Sequence, residues 1–358
     1  MQKLFFSLIL IVVNMAVFAQ RKTENVIIVT LDGMRWQEVF KGLDPVLASD
    51  SSYVRDRDDL KRDFGAATPE ESRKKIFTFF WNTIAKQGQL HGNRTLNSTV
   101  DNANKYWFSY PGYNEIFTGY PDTAVNSNDK TWNKNINVLE FLNNQSGMKG
   151  KVAAFTTWDV FPYILNRQRS GLYVNADADS FNFNTPTLKM LNDMQYLAPR
   201  PIGVRPDLIT YMAAREYLKA YKPKVLYISF DETDDFAHGG LYDQYLKAAH
   251  AEDAMIGDLW NIIQSMPEYK DKTTLIVTTD HGRGDKVKGN WRHHGERIED
   301  AHEIWIAAIG PDMKPLGEVS NGPGLFQQQI AATIAQLLGF QFTANHPVAA
   351  PIPSIYKK

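Results

Sequence analysis

The sequence predicts an α/β protein built on a doubly wound, mostly parallel sheet with helices on both faces. Two observations carry this expectation. Short runs of β-branched and aliphatic residues recur along the chain, apolar at nearly every position, as strands buried on both faces are. Between them fall segments with apolar residues at three- and four-residue spacing, and strands alternating with helices give a parallel sheet covered on both sides.

In chain order, strands are expected at 25–31, 151–156, 224–230, 273–279 and 303–309. Helices are expected at 74–86, 135–144, 207–220, 243–264 and 326–338, the last stopped by Gly339, a residue type suited to the backbone that follows a helix end. No internal repeat or Pro-rich linker divides the chain, so residues 20–358 are expected to form a single domain. Within it, 41–75 carries a run of Arg and Asp from Arg55 to Asp63, too polar for a core, and is expected as a surface insertion in the form of a solvated loop.

Composition narrows the function classes. The 39 Lys and Arg residues nearly cancel the 40 Asp and Glu, so no global basic field draws this chain to nucleic acid, and no nucleic-acid-binding module is expected. Cysteine is absent, which excludes a thiol nucleophile, a thiolate metal ligand and a disulfide scaffold. Residues 1–19 run from Lys3 through an apolar stretch, Leu4 to Val13, to the small-residue site Val17-Phe18-Ala19, the pattern of a cleaved secretory signal peptide. Asn14 interrupts the apolar stretch, which falls short of the span of about 20 residues that a membrane requires. A secreted or periplasmic protein without a stable membrane span is the expectation.

Three predicted strands end in carboxylates: NVIIVTLDG delivers Asp32, VLYISFDETD leads to Asp231 and Asp234, and TTLIVTTDHG delivers Asp280 and His281. In an open parallel sheet the carboxyl ends of the strands face the ligand crevice. A lone aspartate at a strand end is as often a cap, but here His238 stands four residues after Asp234, and His294 follows in the loop HGRGDKVKGNWRHHGER. Three aspartates and three histidines supply two sets of mixed O and N ligands, suited to zinc or, with more oxygen, manganese. Without cations such clustering is costly, because like charges resist joint ionisation. The remaining segment, WFSYPGYNEIFTGYPD, puts Ser109 two residues before Pro111, where a helix can begin and backbone N–H groups favour anions.

In this order, LDG, Ser-aromatic-Pro ahead of a Thr-Gly pair, Asp-x-x-x-His, Asp-His-Gly and a final His-Gly, the chain resembles the alkaline phosphatase superfamily, most closely its nucleotide pyrophosphatase/phosphodiesterase branch. The resemblance spans about residues 25 to 340. It implies an alkaline-phosphatase-like fold in which Asp32, Ser109, Asp280 and His281 hold one metal and Asp234, His238 and His294 the other, with Ser109 as nucleophile. His294 is preferred to its neighbour His293 because it precedes Gly295. The branch usually carries Thr-Phe-Pro-Asn where this chain has Ser-Tyr-Pro-Gly, so Gly112 removes a side chain that would contact substrate. Asn128 matches an asparagine that assists the phosphoryl oxygens; equally, Asn126 and Asn128 shape a polar turn.

Cations are in local excess from His281 to Arg297, and Arg283 and Arg292 are expected to contact substrate. Arg167 and Arg169 follow a predicted strand and either approach the crevice or pair with surface acids. The resemblance thus implies a secreted, metal-dependent phosphoric ester hydrolase, a phosphomonoesterase or phosphodiesterase that works through a phosphoseryl intermediate on small-molecule phosphate esters with two divalent ions, zinc first and manganese second. Two alternatives share the metal core: a phosphomutase similar to the cofactor-independent phosphoglycerate mutases, and a sulfatase-like hydrolase, whose motif has arginine where Tyr113 stands.

Overall fold

The computed structural model of the chain describes residues 21–200 and 203–356; the expected signal segment 1–19 lies outside them. Eleven strands are found among these residues: β1 (Asn25–Leu31), β2 (Gln89–His91), β3 (Val100–Asp101), β4 (Val152–Thr156), β5 (Tyr173–Ala176), β6 (Val225–Phe230), β7 (Thr273–Thr278), β8 (Glu303–Ile304), β9 (Ile306–Ile309), β10 (Gly317–Glu318) and β11 (Leu325–Phe326). Eight form one sheet in the order β10-β2-β9-β7-β1-β6-β4-β5, and β11-β3-β8 form a small second sheet. From β7 to β5 all neighbours are parallel.

Successive side chains on a strand face opposite ways. Ile27, Val29 and Leu31 therefore enter one core and Val26 and Ile28 the other. The helices Asp207–Tyr221 and Tyr242–Ser265 close the first core through Leu218, Leu246 and Leu259. The helices Ser109–Thr118, Val138–Asn143 and Gln329–Leu337 close the second through Ile116, Leu139 and Ile334. With each fully buried aliphatic side chain contributing about 1.5–3 kcal/mol, the sheet is fixed from both faces. The architecture is the expected mostly parallel sheet with helices on either side.

Three elements differ from expectation. The run 303–309 splits: Glu303–Ile304 joins the small sheet, and Ile306–Ile309 lies antiparallel to both β7 and β2. An apolar run reports burial and not direction; here the chain after β7 makes only loops and short 3-10 turns before it re-enters the sheet, with no crossover helix to make the return parallel. The helix expected at 74–86 is broken into Pro69–Ile76, a π-helical turn at Phe80–Ile84 and Ala85–Gln87, because the buried Asp253 carboxylate captures the N–H groups of Phe79 at 2.7 Å and Phe80 at 3.1 Å. The stretch 41–75 is no solvated loop. It holds the helices Pro45–Ser49, Arg57–Phe64 and the start of Pro69–Ile76, capped by the side chains of Asp44, Asp56 and Thr68, and it sends Leu47, Leu60 and Phe64 into the core. Apart from Arg73, which is buried and paired with Glu318, the charges of those helices occupy their outer faces.

Strands β7, β1 and β6 are adjacent and in register, with Leu31 beside Phe230 and Thr30 beside Thr278. The residues that follow them leave the sheet at one edge, and that edge carries the candidate site.

Candidate active site and metal centre

Asp32 follows β1, and the chain turns at once through Gly33, whose φ of +58° favours glycine. A side chain at Gly33 would also stand 2.6 Å from Asp234 Oδ1 and 2.9 Å from Arg283 Nε. The Gly33 N–H donates to Asp280 Oδ1 at 3.1 Å, which ties the turn after β1 to the residues after β7. The Asp280 carbonyl accepts from Asn102 Nδ2 and Gln327 Nε2, both at 2.8 Å. His281 Nδ1 lies 3.0 Å from the Gly282 carbonyl and so carries the proton, which leaves Nε2 for the site. That Nε2 stands 3.4 Å from both Asp32 Oδ1 and Asp280 Oδ2, and 3.8 Å from Asp234 Oδ1.

Ser109 is the first residue of its helix but does not cap it. The cap position is Phe108, which makes no side-chain bond, and Asn128 Oδ1 accepts from the Tyr110 N–H at 2.9 Å instead. Freed from capping, the buried Ser109 hydroxyl lies 3.4 Å from His281 Nε2. One turn on, the Tyr113 hydroxyl donates to Asp32 Oδ2 at 2.8 Å. Between them Gly112 packs on the backbone of Asp280: an added Cβ would clash with its carbonyl oxygen and lie 3.0 Å from its carbonyl carbon. Position 112 therefore faces the Asp280 backbone and not an open crevice as its alignment with asparagine implies; the helix that begins with Ser109 is pressed against the loop after β7 there, leaving no room for a side chain.

The Glu232–His238 helix puts Asp234 and His238 on one face, four residues apart, with His238 Nε2 3.2 Å from Asp234 Oδ2. His294 Nε2 comes to 2.9 Å from His238 Nε2 and 3.8 Å from Asp234 Oδ1, while its Nδ1 lies 3.3 Å from the carbonyl of Trp107. Trp107 itself has a φ of +52°, and Asn104 Oδ1 holds its N–H at 3.1 Å. His293 is exposed and joins neither cluster, so His294 is the histidine brought in.

Electrostatics at the site favour cations. Burial first, then the charges of Asp280, Asp234 and Asp231, raise the Asp32 carboxyl well above its usual range. Burial followed by the neighbouring His281 holds His294 well below the usual imidazole value, so it is a neutral donor. Asp32 Oδ1 and Asp280 Oδ2 are buried and lack a hydrogen-bond partner among the described residues. Ligand atoms of Asp32, Asp280 and His281 lie within 4.8 Å of one another, as do those of Asp234, His281 and His294. Oxygen and nitrogen donors with orphaned carboxylate oxygens fit a pair of divalent cations.

The expected substrate contacts are placed differently. Arg283 is buried and ion-paired with Asp234, also donating to its carbonyl at 3.2 Å; it turns inward over Gly33, which has no side chain to exclude it, and does not line the substrate edge. Arg292 lies over the Tyr53 ring, 6.0 Å from its centroid, with Nε buried and unpartnered among the described residues. Arg167 pairs with Asp179 at 2.6 Å and Arg169 with Glu140 at 2.8 Å, the surface alternative. Sequence reasoning missed Tyr113 and Trp107; their proximity to Ser109 in the chain is the only signal that singles them out.

A family model described as Type I phosphodiesterase / nucleotide pyrophosphatase matches residues 43–306. A comparison with curated proteins gives no match. Among solved structures, the chain is similar to the alkaline phosphatase PafA (TM-score 0.64, 11% identity, 95% of this chain and 100% of that one). It is also similar to the lipoteichoic acid synthase LtaP from Listeria monocytogenes (TM-score 0.57, 13% identity, 90% and 73%). A third is murine ectonucleotide pyrophosphatase/phosphodiesterase 5, in an inactive form with AMP (TM-score 0.52, 13% identity, 91% and 97%). At these identities the structures share the fold.

Proposed function

The chain belongs to the Type I phosphodiesterase / nucleotide pyrophosphatase family and is a hydrolase of phosphoric ester bonds, and from that premise we propose that it cleaves its substrate at a two-metal site through a phosphoseryl intermediate on Ser109. The observation that carries this reading is the Ser109 hydroxyl, relieved of capping by Asn128 and set 3.4 Å from the nitrogen that His281 turns toward Asp32 and Asp280.

Ser109, Asp32, Asp280 and His281 would hold one cation, and Asp234, His238 and His294 the other, with zinc first by donor type and manganese second. When bound, the cations supply the positive charge that lowers the pKa of the serine and offsets that of the phosphoryl oxygens. Ser109 Oγ attacks phosphorus, the bond from phosphorus to the leaving oxygen breaks, and that oxygen departs as an alcohol with a proton from solvent. Water then adds to phosphorus, the bond to Oγ breaks, and Ser109 regains its proton. Asn128, whose amide nitrogen makes no bond within the described residues, stands beside the nucleophile for a phosphoryl oxygen. A cavity of about 270 Å³ lined by Tyr110, Asn126, Trp132 and Asn135, next to the start of the helix, offers space for the organic group.

Export by a signal peptide at 1–19 and a single catalytic unit over 20–358 complete the proposal. No helix among the described residues is long and apolar enough to cross a membrane. The test is a panel on purified, metal-replete protein: p-nitrophenyl phosphate, bis-p-nitrophenyl phosphate, nucleotide diesters and p-nitrophenyl sulfate, with elemental analysis of the same sample. Phosphate-ester turnover with two metals per chain is expected. Turnover undiminished after complete metal removal, or a preference for the sulfate ester, would overturn the reading.

A further inference from the structure

The helix Glu232–His238, which carries Asp234 and His238, is not capped by its own first residue. Asp231 occupies the cap position and makes no side-chain bond there. The cap arrives from Asp207 at the start of the Asp207–Tyr221 helix: its carboxylate accepts from the Asp231 N–H at 3.0 Å and the Glu232 N–H at 2.9 Å, and the Thr157 hydroxyl donates to it too. Asp207 is fully buried, and a negative charge at a helix N-terminus is well placed.

Against Asp207 lies the carboxyl of Glu252, from the Tyr242–Ser265 helix. Glu252 is fully buried, and neither of its oxygens has a hydrogen-bond partner among the described residues. Two carboxyl groups face to face can bond only if one carries a proton; ionised together they repel in a medium that screens poorly. Asp207 already accepts from three donors, which suits the ionised form, so the proton belongs on Glu252. A cation is the other way to relieve the repulsion, but among the described residues three metal-ligand atoms converge only at the two clusters of the active site.

We propose that Glu252 is a positioning residue: as a neutral acid it donates to Asp207 and so holds in place the cap of the helix that brings Asp234 and His238 to the second metal. This rests on the reading of those two residues as metal ligands. The groups facing the pair are Asp231 and Glu232 from the ligand helix, with Arg205 on the Asp207 side. Burial is the first cause that raises both carboxyls above the ordinary carboxylate range, followed by the charge of Glu232 at Asp207 and that of Asp207 at Glu252. The proton therefore stays in the pair at neutral pH and leaves as pH rises, after which two like charges loosen the cap.

Affinity for the second metal, measured by chelator competition from pH 6 to 9.5 with elemental analysis at each point, tests the inference on wild type, Glu252→Gln and Glu252→Leu. Glutamine donates without a proton to lose, so it should hold the second metal across the range, while wild type weakens relative to it toward the alkaline end. Leucine, with no donor, should weaken that affinity about tenfold or more at every pH. Glutamine behaving like leucine, or matching the wild-type pH profile, overturns the proposal, as does a third metal bound by wild type and lost in Glu252→Gln. If wild type binds fewer than two metals, the two-metal reading itself fails. If two are bound and the three proteins agree, only the role of Glu252 falls.

Discussion

The phenol of Tyr113 donates a 2.8 Å hydrogen bond to Asp32 Oδ2, joining the helix that begins with Ser109 to the carboxylate at the end of β1. Both residues are buried, so water does not replace this bond if it is lost. Outer-shell bonds of this kind orient a ligand, and their removal commonly costs 10–100-fold in metal affinity or activity. Tyr113→Phe keeps the ring packed on Phe161, 4.5 Å away centroid to centroid, and deletes only the hydroxyl, which donates to Asp32 and accepts from Ser229 at 3.4 Å. A chelator competition should show weaker retention of the first metal by about that factor at unchanged melting temperature; equal retention would make the bond incidental.

Ser109→Ala separates chemistry from structure. The cap of this helix is Asn128 and not Ser109, so alanine removes the hydroxyl without freeing a backbone donor. Turnover should fall to background while the melting temperature stays within about 1 °C and metal content is nearly intact, since Asp32, Asp280 and His281 remain. Full activity in this variant would eliminate the proposed nucleophile.

Gly112→Ala is expected to destabilise despite being the smallest possible enlargement. Its methyl group would press on the Asp280 carbonyl, which Asn102 and Gln327 hold in place. Overpacking against fixed backbone costs about 1–3 kcal/mol, and the shift that relieves it moves Ser109 away from His281. Thermal unfolding and single-turnover kinetics should both register the change; a neutral result would show that the loop after β7 yields easily.

Asp253 sets a pH dependence away from the site. Burial pushes its carboxyl up to about 7, against the lowering effect of the Phe79 and Phe80 N–H bonds. The folded value lies above the unfolded value of about 3.9, so the folded chain holds the proton more tightly. This contribution to stability is fully present below about pH 4 and is lost as pH rises through about 7. Denaturant titrations of wild type and Asp253→Asn between pH 4 and 8 should give a difference in stability that changes in the variant's favour as pH rises, and a pH-independent difference would show that Asp253 does not titrate in this window.

The central strands were legible because burial on both faces leaves a run such as Val26 to Leu31 apolar at every position but Thr30. The direction of Ile306–Ile309 was not, since it depends on which edge the chain occupies when it re-enters the sheet. Charge along 41–75 hid Leu47, Leu60 and Phe64, the last two four residues apart on one face of a short capped helix. At the site, Asp32, Asp234, Asp280, His281 and His294 stood out by their places at strand and loop ends, and the structure gathers them. Arg283 and Gly112 were misread because the depth of a side chain depends on neighbours distant in the chain, Asp234 for one and the Asp280 backbone for the other.

By itself the sequence determined the two-sided sheet, the absence of thiol chemistry and the order in which carboxylates, imidazoles and a serine leave the strand ends, because periodicity and residue type are local properties. Only the tertiary structure decided that Asn128 relieves Ser109 of capping, that Tyr113 braces Asp32, that Arg283 faces inward and that Glu252 stands behind Asp207. Each of these depends on distances of a few ångströms between segments separated by tens to hundreds of residues, and such distances are set by how the helices pack on the sheet.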